Sequence, residues 1–238
     1  MLNSRDPVVS GALTLRVYER RETQFFLSSC APGMTFLDVG ANIGYYTALA
    51  IPLIGVSGQV VALEPDPECY ALLLATVAAN SGAKVTCIPK AAGASRGTMR
   101  LYQNQNNRAD NRLYPHGMAT THADVEVIDI DSMLEEQGIK QVDLVKIDVQ
   151  GFEGQVLRGM SKALVDCERM IMMIEFWPLG LRSCGTDPAS MLNSIKRLGF
   201  NVFELDWRGK IRPMNNMEKI EKRFTGQRYT NIVAIKGA

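Results

Sequence analysis

The alternation of two kinds of segment is the feature that most constrains the fold of this chain. Short apolar runs rich in β-branched residues end in Gly, Asp or Pro, and a stretch with helical periodicity follows most of them. Strands and helices that alternate in this way build βαβ units around a parallel sheet. The sequence therefore predicts an α/β fold, with a mostly parallel sheet of seven strands and helices on both faces.

The boundaries of these elements follow from the same patterns. The predicted strands are Thr35–Val39, Gln59–Leu63, Lys84–Pro89, Asp143–Asp148, Met170–Phe176, Asn201–Leu205 and Thr230–Ile235. The predicted helices between them are Ile43–Ile54, Pro67–Asn80, Glu153–Leu164 and Pro188–Leu198. Thr98–Ile128 breaks the alternation, because its apolar residues recur with period two on either side of a polar stretch. We expect a strand pair with a long loop there, and such loops often bind ligands.

Length and composition indicate an ordinary globular protein. The chain has 238 residues, of which 46% are hydrophobic and 21% charged, and one α/β domain commonly fills this length. We expect residues 34–238 to form that domain and residues 1–33 to form a helical segment packed on it, with a helix at Leu13–Ser29. The aromatic pair Phe25 and Phe26 in this helix either packs on the sheet or closes over its ligand.

Charge and cysteine content restrict the partners and the compartment. A net charge of +1 disfavours nucleic acid or a membrane surface as an obligate partner. No apolar stretch is suited to an export signal or to a transmembrane span. The five cysteines contain no C-x-x-C pair and no metal-ligand spacing, so a cytoplasmic location is expected.

Residues 36–47, with the sequence FLDVGANIGYYT, form the strongest local motif: a buried strand, a glycine turn and the start of a helix. Gly40 allows a tight turn, and Gly44 allows the helix to approach the strand closely. Asn42 belongs to the non-glycine residue type that best tolerates a left-handed backbone. A turn of this kind before a helix N-terminus is typical of nucleotide-cofactor sites.

The spacing of this motif separates two classes of cofactor. A dinucleotide fingerprint has Gly at its first, third and sixth positions, which here are Gly40, Asn42 and Tyr45. Asp38 would repel a pyrophosphate, but it would attract the ammonium and sulfonium groups of S-adenosylmethionine. The motif therefore favours S-adenosylmethionine and disfavours the alternative of an NAD-linked dehydrogenase.

The ends of the next two strands extend the expected cofactor site. Glu64 follows Gly44 by about twenty residues, the distance at which a Rossmann-type site places its ribose-binding acid. Pro65 ends the second strand, and Asp66 is explained fully as the N-cap of a helix. Ala92, among small residues after the third strand, either leaves room for an adenine or allows close packing.

The fourth and fifth strands bring charged groups to the same edge of the sheet. Lys146 and Asp148 share one face of the fourth strand, and Asp148 falls at its carboxyl end, where open α/β sheets bind ligands. Lys146 lies deeper and is expected to form a structural ion pair. Glu175 near the end of the fifth strand is a candidate base or substrate anchor, whereas Glu153 begins a helix whose dipole it complements.

The polar loop of the predicted strand pair holds both histidines of the chain. His116 is the stronger candidate for a base and His122 the weaker, although a loop histidine is more often simply solvated. Asn111 and Arg112 in the same loop could hold a hydroxyl or a carboxylate of a substrate. Trp177, after the fifth strand, could form a substrate wall.

Three blocks between Met34 and Ile235 resemble the FkbM family of methyltransferases: FLDVGANIGYYT, VVALEPDPECYALLLATVAAN and VDLVKIDVQGFEGQVLRG. The third block is similar to the family signature K-I-D-V-E-G-x-E-x-x-V-L-x-G. The resemblance implies a Rossmann-like class I methyltransferase fold, S-adenosylmethionine as methyl donor, and O-methylation of a hydroxyl on a small-molecule metabolite or sugar. Gln150 departs from the signature, because it stands where the family usually has an acid and cannot act as a base.

These inferences define the expected site. The expected catalytic residues are Asp148, Glu175 and His116. The expected cofactor contacts are Asp38, Gly40, Ala41, Asn42, Gly44, Glu64, Pro65, Ala92 and Asp148. No metal site is predicted, because the acids of the fourth and fifth strands lack a diagnostic spacing. The alternative to an enzyme is a catalytically degenerate fold that binds a nucleotide or a partner, against which the intact Asp38, Gly40 and Glu64 argue.

Overall fold

The computed structural model describes residues 19–104, 107–117, 119–214 and 223–237, and these residues form two sheets. The larger described sheet has eight strands in the order β10-β9-β11-β8-β7-β1-β2-β3, and the smaller has three in the order β4-β6-β5. The strands are β1 (Thr35–Val39), β2 (Gln59–Leu63), β3 (Lys84–Ile88), β4 (Ala91–Ala92), β5 (Gly97–Gln103), β6 (Thr121–Ile128), β7 (Leu144–Ile147), β8 (Met170–Phe176), β9 (Asn201–Leu205), β10 (Ile211–Pro213) and β11 (Thr230–Lys236).

Helices alternate with the parallel strands. The described helices are α1 (Arg20–Ser29), α2 (Tyr45–Ile54), α3 (Pro67–Ala78), α4 (Ile130–Glu136), α5 (Glu153–Gly159), α6 (Ser161–Asp166), α7 (Pro178–Ser183) and α8 (Pro188–Arg197). Asp66 caps α3 and Asp187 caps α8, and each is followed by a proline that favours the first helical position. Within the described ranges, no helix has the length and apolar character needed to cross a membrane.

The strand order creates a crevice beside β1. This strand pairs in parallel with β2 on one side and with β7 on the other, where Asp38 lies opposite Lys146. The chain leaves β1 toward β2 and β3 and returns to the other side of β1 as β7. The connections from β1 and β7 therefore diverge, and open α/β sheets bind their ligands at such a switch point.

Apolar side chains cover both faces of the larger sheet. Phe36 of β1 packs in one buried cluster with Phe26 of α1 and Tyr46 of α2, and the ring centroid of Phe26 lies 5.0 Å from that of Phe36 and 4.9 Å from that of Tyr46. The next residue of β1, Leu37, belongs to the cluster on the opposite face. Phe25 and Phe26 therefore pack on the sheet, which is the first of the two alternatives drawn from the sequence.

The α/β prediction is confirmed, and all seven predicted strands are present. The larger sheet differs at its far edge, where β10 adds an eighth strand to the described sheet. The strands β8, β11, β9 and β10 pair antiparallel, so the sheet is mixed. Sequence patterns did not predict β10 because three residues are too few to show a period.

Two of the predicted helices differ from the structure by more than a shift of one or two residues at an end. The segment predicted as Glu153–Leu164 forms α5 and α6, which meet at Met160 with a φ of −121°. Gly159 packs so closely there that a Cβ would lie 1.9 Å from the backbone oxygen of Gly93. The helix predicted at Leu13–Ser29 is described from Arg20 onward, and its residues 13–18 lie outside the described residues.

The predicted strand pair is confirmed as β5 and β6. They pair antiparallel from Gly97 opposite Val127 to Gln103 opposite Thr121, and β4 joins β6 in parallel. The loop between β5 and β6 contains a 3₁₀ turn at Arg108–Asp110. Its described residues lie over the crevice beside β1 and form part of the walls of the cavities there.

Candidate functional site

Two adjacent cavities open in the crevice beside β1. The larger of the two has a volume of about 410 Å³ and the smaller about 60 Å³. Gly40, Asn42, Ala109, Asp148 and Gln150 line both, so the two cavities are parts of one cleft. The cleft lies at the strand ends where the switch point predicts a ligand site.

The glycine turn adopts the backbone that its sequence predicts. Gly40 has a φ of 83° and Asn42 a φ of 51°, both in the left-handed region. A Cβ at position 40 would lie 2.0 Å from the backbone oxygen of Asp148, so glycine is needed for the close approach of the turn to the end of β7. Gly44, expected both to let the helix approach the strand and to contact the cofactor, lies against Leu73 of α3 and lines neither cavity.

Glu64 lines the smaller cavity, and its carboxylate is held in a fixed orientation. One oxygen accepts the backbone N–H of Asn42 and the other accepts that of Asp66, each at 2.8 Å. Because a carboxylate can accept about four hydrogen bonds, lone pairs remain for a ligand. Burial raises the pKa of Glu64 to about 8. The geometry provides a positioned acceptor for a pair of hydroxyl groups.

Small and apolar side chains complete the smaller cavity. Pro65 and Ala92 follow β2 and β3 and line it together with Leu101 and Leu113 from the second sheet and its loop. An apolar lining beside one oriented polar group is suited to a flat aromatic ring that carries hydroxylated substituents. Pro65 and Ala92 therefore share one cavity with Glu64.

Asp38 is almost fully buried at the larger cavity. Its Oδ2 accepts the hydroxyl hydrogen of Thr47 at 2.7 Å. Burial raises the pKa of Asp38 to about 6, and the Thr47 hydrogen bond and the Lys146 charge oppose this rise. A cationic ligand group in the cavity would stabilise the ionised carboxylate further. Ala41, two residues after Val39, also lines this cavity.

A row of linked polar groups from β7, its following loop and β8 lines the larger cavity. Lys146 Nζ donates to Asp148 Oδ2 at 2.8 Å, which confirms the predicted ion pair. Gln150 Nε2 donates to Asp148 Oδ1 at 3.0 Å and to Glu175 Oε1 at 3.1 Å. Glu175 Oε2 is buried and has no hydrogen-bond partner among the described residues. We call these four residues the polar row.

Charges in the polar row change the proton affinity of its members. Burial, together with the charge of Asp148, raises the pKa of Glu175 well above its ordinary value. Burial alone would lower the pKa of Lys146. The negative charges of Asp148 and Glu19 have the larger effect, so the pKa of Lys146 is raised. Lys146 is therefore a fixed positive charge, whereas Glu175 holds a proton more tightly than an ordinary glutamate. In the described part of the chain, no group of three or more His, Cys, Asp or Glu residues is arranged to hold a metal ion.

Glu153 shapes the loop that carries Gln150. Its buried Oε1 accepts the backbone N–H groups of Val149 and Gly151, each at 3.1 Å. Burial raises the pKa of Glu153 to about 7. Because the side chain lines neither cavity, its position supports a structural role at the start of α5.

The loop between β5 and β6 brings a cation to the larger cavity. The Arg112 guanidinium lies 4.5 Å from the centre of the Trp177 ring and forms an ion pair with Asp110. All three residues line the larger cavity, while Asn111 lines the smaller one. Trp177 therefore forms part of the wall of this cavity, with the Arg112 guanidinium over its ring.

His116 of the same loop lines neither cavity. Its Nε2 lies 3.5 Å from the backbone oxygen of Tyr102, at the limit of a hydrogen bond. Burial, assisted by the charge of Arg112, lowers the pKa of His116. The structure brings Asp148 and Glu175 together at the larger cavity but places the third predicted catalytic residue apart from them.

Asp66 has a role beside the site that the sequence did not reveal. Its Oδ1 accepts two first-turn amides of α3, as expected of an N-cap. Its Oδ2 accepts side-chain hydrogens from Gln103 at 2.6 Å and from Arg108 and Asn111 at 3.0 Å each. This fully buried carboxylate thus fastens the loop after β5 to the end of β2. The many polar residues in Gln103–Arg112 indicate that this loop forms hydrogen bonds. They do not indicate that Asp66 is the residue that accepts them.

Comparison with known proteins places the chain in a family. The family model for the methyltransferase FkbM domain matches residues 38–202, from Asp38 in β1 to the start of β9. The chain belongs to the FkbM methyltransferase family. S-Adenosylmethionine is the methyl donor of FkbM methyltransferases and hence the cofactor of this one.

Two curated methyltransferases are similar in sequence to this FkbM protein. Methyltransferase sdnD of Sordaria araneosa is 27% identical over an alignment 176 positions long, and the match covers 61% of this chain and 68% of that protein. Hexuronic acid methyltransferase AglP of Haloferax volcanii is 28% identical over 138 residues, which are 58% of this chain and 54% of that protein. The FkbM chain thus matches about half the length of the second relative.

A solved structure shares the fold of this FkbM methyltransferase. A proposed rRNA methylase from Clostridium thermocellum superposes with a TM-score of 0.50 over 90% of this chain and 91% of that one, at 12% identity. A likeness at this identity shows the fold alone. Together with the family match, it confirms the predicted Rossmann-like class I methyltransferase fold.

Proposed function

We propose that this FkbM methyltransferase transfers the methyl group of S-adenosylmethionine to a hydroxyl oxygen of a small molecule or sugar. One observation carries the choice of oxygen: Glu175 lines the larger cavity, and its buried Oε2 has no partner in the described part of the chain. An alcohol must lose a proton when it is methylated, and a carboxylate with a free oxygen can accept that proton.

The polar and apolar lining of the cleft suits the groups of the methyl donor. Glu64 offers an oriented carboxylate to the ribose hydroxyls, and Ala92 and Leu101 offer an apolar surface to the adenine. Asp38 offers negative charge to the ammonium and sulfonium groups from the adjoining cavity. We therefore assign the nucleoside to the smaller cavity and the reacting end to the larger one, with Gly40 between them.

The protein's own groups then perform three tasks. Bound S-adenosylmethionine would supply an electrophilic methyl group, which would pass to the acceptor oxygen as its carbon–sulfur bond breaks in line and S-adenosylhomocysteine leaves. The walls of the larger cavity hold the acceptor and exclude water. Glu175 Oε2 accepts the hydroxyl proton while Oε1 stays bonded to Gln150. Asp148 is less suited to this task, because Lys146 and Gln150 already engage both of its oxygens.

The lining of the larger cavity supports a hydroxylated acceptor of the sugar type. Tyr45, Tyr46 and Tyr229 present aromatic rings there, beside the carboxylates of Glu19 and Glu175. Aromatic faces and a few oriented polar groups are suited to the apolar faces and hydroxyls of a sugar. The similarity to AglP, whose name gives hexuronic acid as its substrate, supports the same class.

Product analysis tests the proposal. The purified protein is incubated with methyl-labelled S-adenosylmethionine and with acceptor sets that differ at one position: a sugar hydroxyl, the deoxy analogue and the amino analogue. We expect label only in the hydroxyl compound, and a loss of at least about 100-fold in kcat for Glu175→Gln. Preferred labelling of the amino analogue, or any labelling of the deoxy analogue at an unrelated position, would contradict oxygen transfer at this site.

A further inference from the structure

Gln150 stands at the centre of the polar row, between the two carboxylates of the larger cavity. Its single amide nitrogen lies 3.0 Å from Asp148 Oδ1 and 3.1 Å from Glu175 Oε1. The amide group carries two hydrogens on that nitrogen, so it can donate to both carboxylates at once. The opposite amide orientation would set its oxygen against two acceptor oxygens, so the surroundings select this one.

Several features of the backbone hold Gln150 in this position. Gln150 itself has a φ of 53°, in the left-handed region, and Gly151 follows with a φ of 101°. A Cβ at position 151 would lie 2.6 Å from the carbonyl carbon of Gly180, so the loop packs directly on α7. Glu153 accepts the backbone N–H groups on either side of Gln150. The loop is therefore built to present one side chain to the cavity.

Gln150 also determines which oxygen of Glu175 is left without a hydrogen bond. Lys146 and Gln150 each engage one oxygen of Asp148, and Gln150 engages Oε1 of Glu175. Among the described residues, this leaves Glu175 Oε2 without a donor. An acid at position 150 would instead place a third carboxylate within hydrogen-bond distance of two others. The amide replaces that repulsion with two hydrogen bonds.

We propose that Gln150 is a positioning residue whose amide joins Asp148 and Glu175 into one unit and leaves the free oxygen of Glu175 for the acceptor. The role of that oxygen rests on the proposed function, whereas the joining of the two carboxylates is a property of the chain alone. Among the described residues, the titratable groups that act on Glu175 are Asp148, Glu153, Glu19, Lys146 and Tyr229. Gln150 lowers the pKa of Glu175 relative to an acid at the same position, because its amide donates a hydrogen bond to Glu175 Oε1 and adds no negative charge.

The titration of Glu175 tests this proposal. Carbon-13 NMR of protein labelled at the glutamate carboxyl carbon follows the titration, and Glu175→Gln identifies the signal. Gln150→Glu adds a negative charge, so we expect the midpoint of Glu175 to rise by at least about one pH unit. Gln150→Met removes the hydrogen bond at similar size, and we expect a smaller rise. If Gln150→Glu does not fold, the Glu175 midpoint in the uncharged Gln150→Met variant still tests the proposal.

Gln141→Glu is the matched control. Gln141 Nε2 also donates to an aspartate, Asp143 Oδ1, at 2.7 Å, but it lies before β7 and lines neither cavity of the cleft. This variant should leave the Glu175 midpoint within about 0.2 pH unit of wild type. Wild-type midpoints in both Gln150 variants would overturn the proposal. Because the titration uses no acceptor and no cofactor, a failed acceptor screen would contradict the proposed function and not this result.

Discussion

The cleft has two halves that are built in different ways. The cofactor half consists of the turn at residues 38–44, Glu64 and the smaller cavity. Its glycine turn and its oriented carboxylate come from two short segments at the ends of β1 and β2, and residues such as Ala92, Leu101 and Leu113 complete the lining of the cavity. The acceptor half consists of the polar row and the larger cavity. Its lining is assembled from segments far apart in the chain, including Glu19, Arg112, Asp148, Glu175 and Tyr229.

The difference teaches which physical property each half depends on. The cofactor half depends on backbone shape, because Gly40 and Asn42 need a left-handed φ and Gly40 needs the absence of a Cβ. The acceptor half depends on charge balance, because hydrogen bonds and ion pairs hold its carboxylates in place. Changes in the first half should alter cofactor affinity, and changes in the second should alter turnover.

Gly40→Ala should have the largest effect on the cofactor half. The added Cβ would lie 2.0 Å from the backbone oxygen of Asp148, and the φ of 83° is itself unfavourable for alanine. We expect the free energy of unfolding to fall by about 2–4 kcal/mol in chemical denaturation. Calorimetric titration should show no binding of S-adenosylmethionine.

Gly138→Ala is the control for backbone strain without steric overlap. Gly138 has a φ of 66°, and a Cβ there would meet nothing within 4 Å. We expect a loss of only about 1 kcal/mol and wild-type cofactor affinity. Equal effects of the two substitutions would show that the approach of the β1 turn to β7 is unimportant.

Asp38→Asn should have the next largest effect. Asparagine keeps an oxygen for the Thr47 hydroxyl but removes the negative charge from the larger cavity. We expect S-adenosylmethionine to bind about 30-fold more weakly, and S-adenosylhomocysteine to lose less affinity because it lacks the sulfonium charge. Calorimetry with both ligands measures the difference. Unchanged affinity for the charged ligand would remove Asp38 from the cofactor half.

The affinity for S-adenosylmethionine should depend on the ionisation of Glu64. Burial raises the pKa of this carboxyl to about 8, so it is mostly protonated at neutral pH in the free protein. Ribose hydroxyls donate to the carboxylate form, so binding should release a proton. The affinity should rise with pH by up to about tenfold per unit below the pKa and level off above it. Glu64→Gln should bind weakly with a flat profile, and a flat wild-type profile would contradict the assignment.

Part of the cofactor half could be predicted from the sequence, because the backbone conformation of its turn is a local requirement. The left-handed backbone of Gly40 and Asn42 follows from a motif of a few consecutive residues. The fastening of the loop by Asp66 could not be predicted, because its partners Gln103 and Arg108 lie 37 and 42 residues away. Only the fold brings such distant polar groups into contact.

The acceptor half shows the same limit. The sequence placed Asp148 and Glu175 at one edge of the sheet, since both come at or near the ends of parallel strands. The sequence showed that position 150 holds a glutamine where the family usually has an acid. It did not show that the amide of Gln150 joins the carboxylates of Asp148 and Glu175. Hydrogen bonds between side chains of different strands leave no periodic signal in the sequence.

His116→Gln should have the smallest effect. The ring of His116 lies near the backbone of Tyr102 and lines neither cavity, and it approaches the larger cavity only through Asp110, whose Oδ2 lies 3.9 Å from His116 Nδ1. We expect kcat and the affinity for S-adenosylmethionine to change by less than about twofold. A loss of more than about tenfold in kcat, with the fold intact, would return this loop histidine to the acceptor half.

The separation of the two halves is tested most directly by measuring kcat and the cofactor Kd together in Glu175→Gln and in Asp38→Asn. We predict that Glu175→Gln lowers kcat by at least about 100-fold and leaves the Kd for S-adenosylmethionine within about twofold of wild type. Asp38→Asn should act mainly on the Kd. If Glu175→Gln keeps its turnover and instead weakens cofactor binding as strongly as Asp38→Asn, the division of the cleft into a cofactor half and an acceptor half is contradicted.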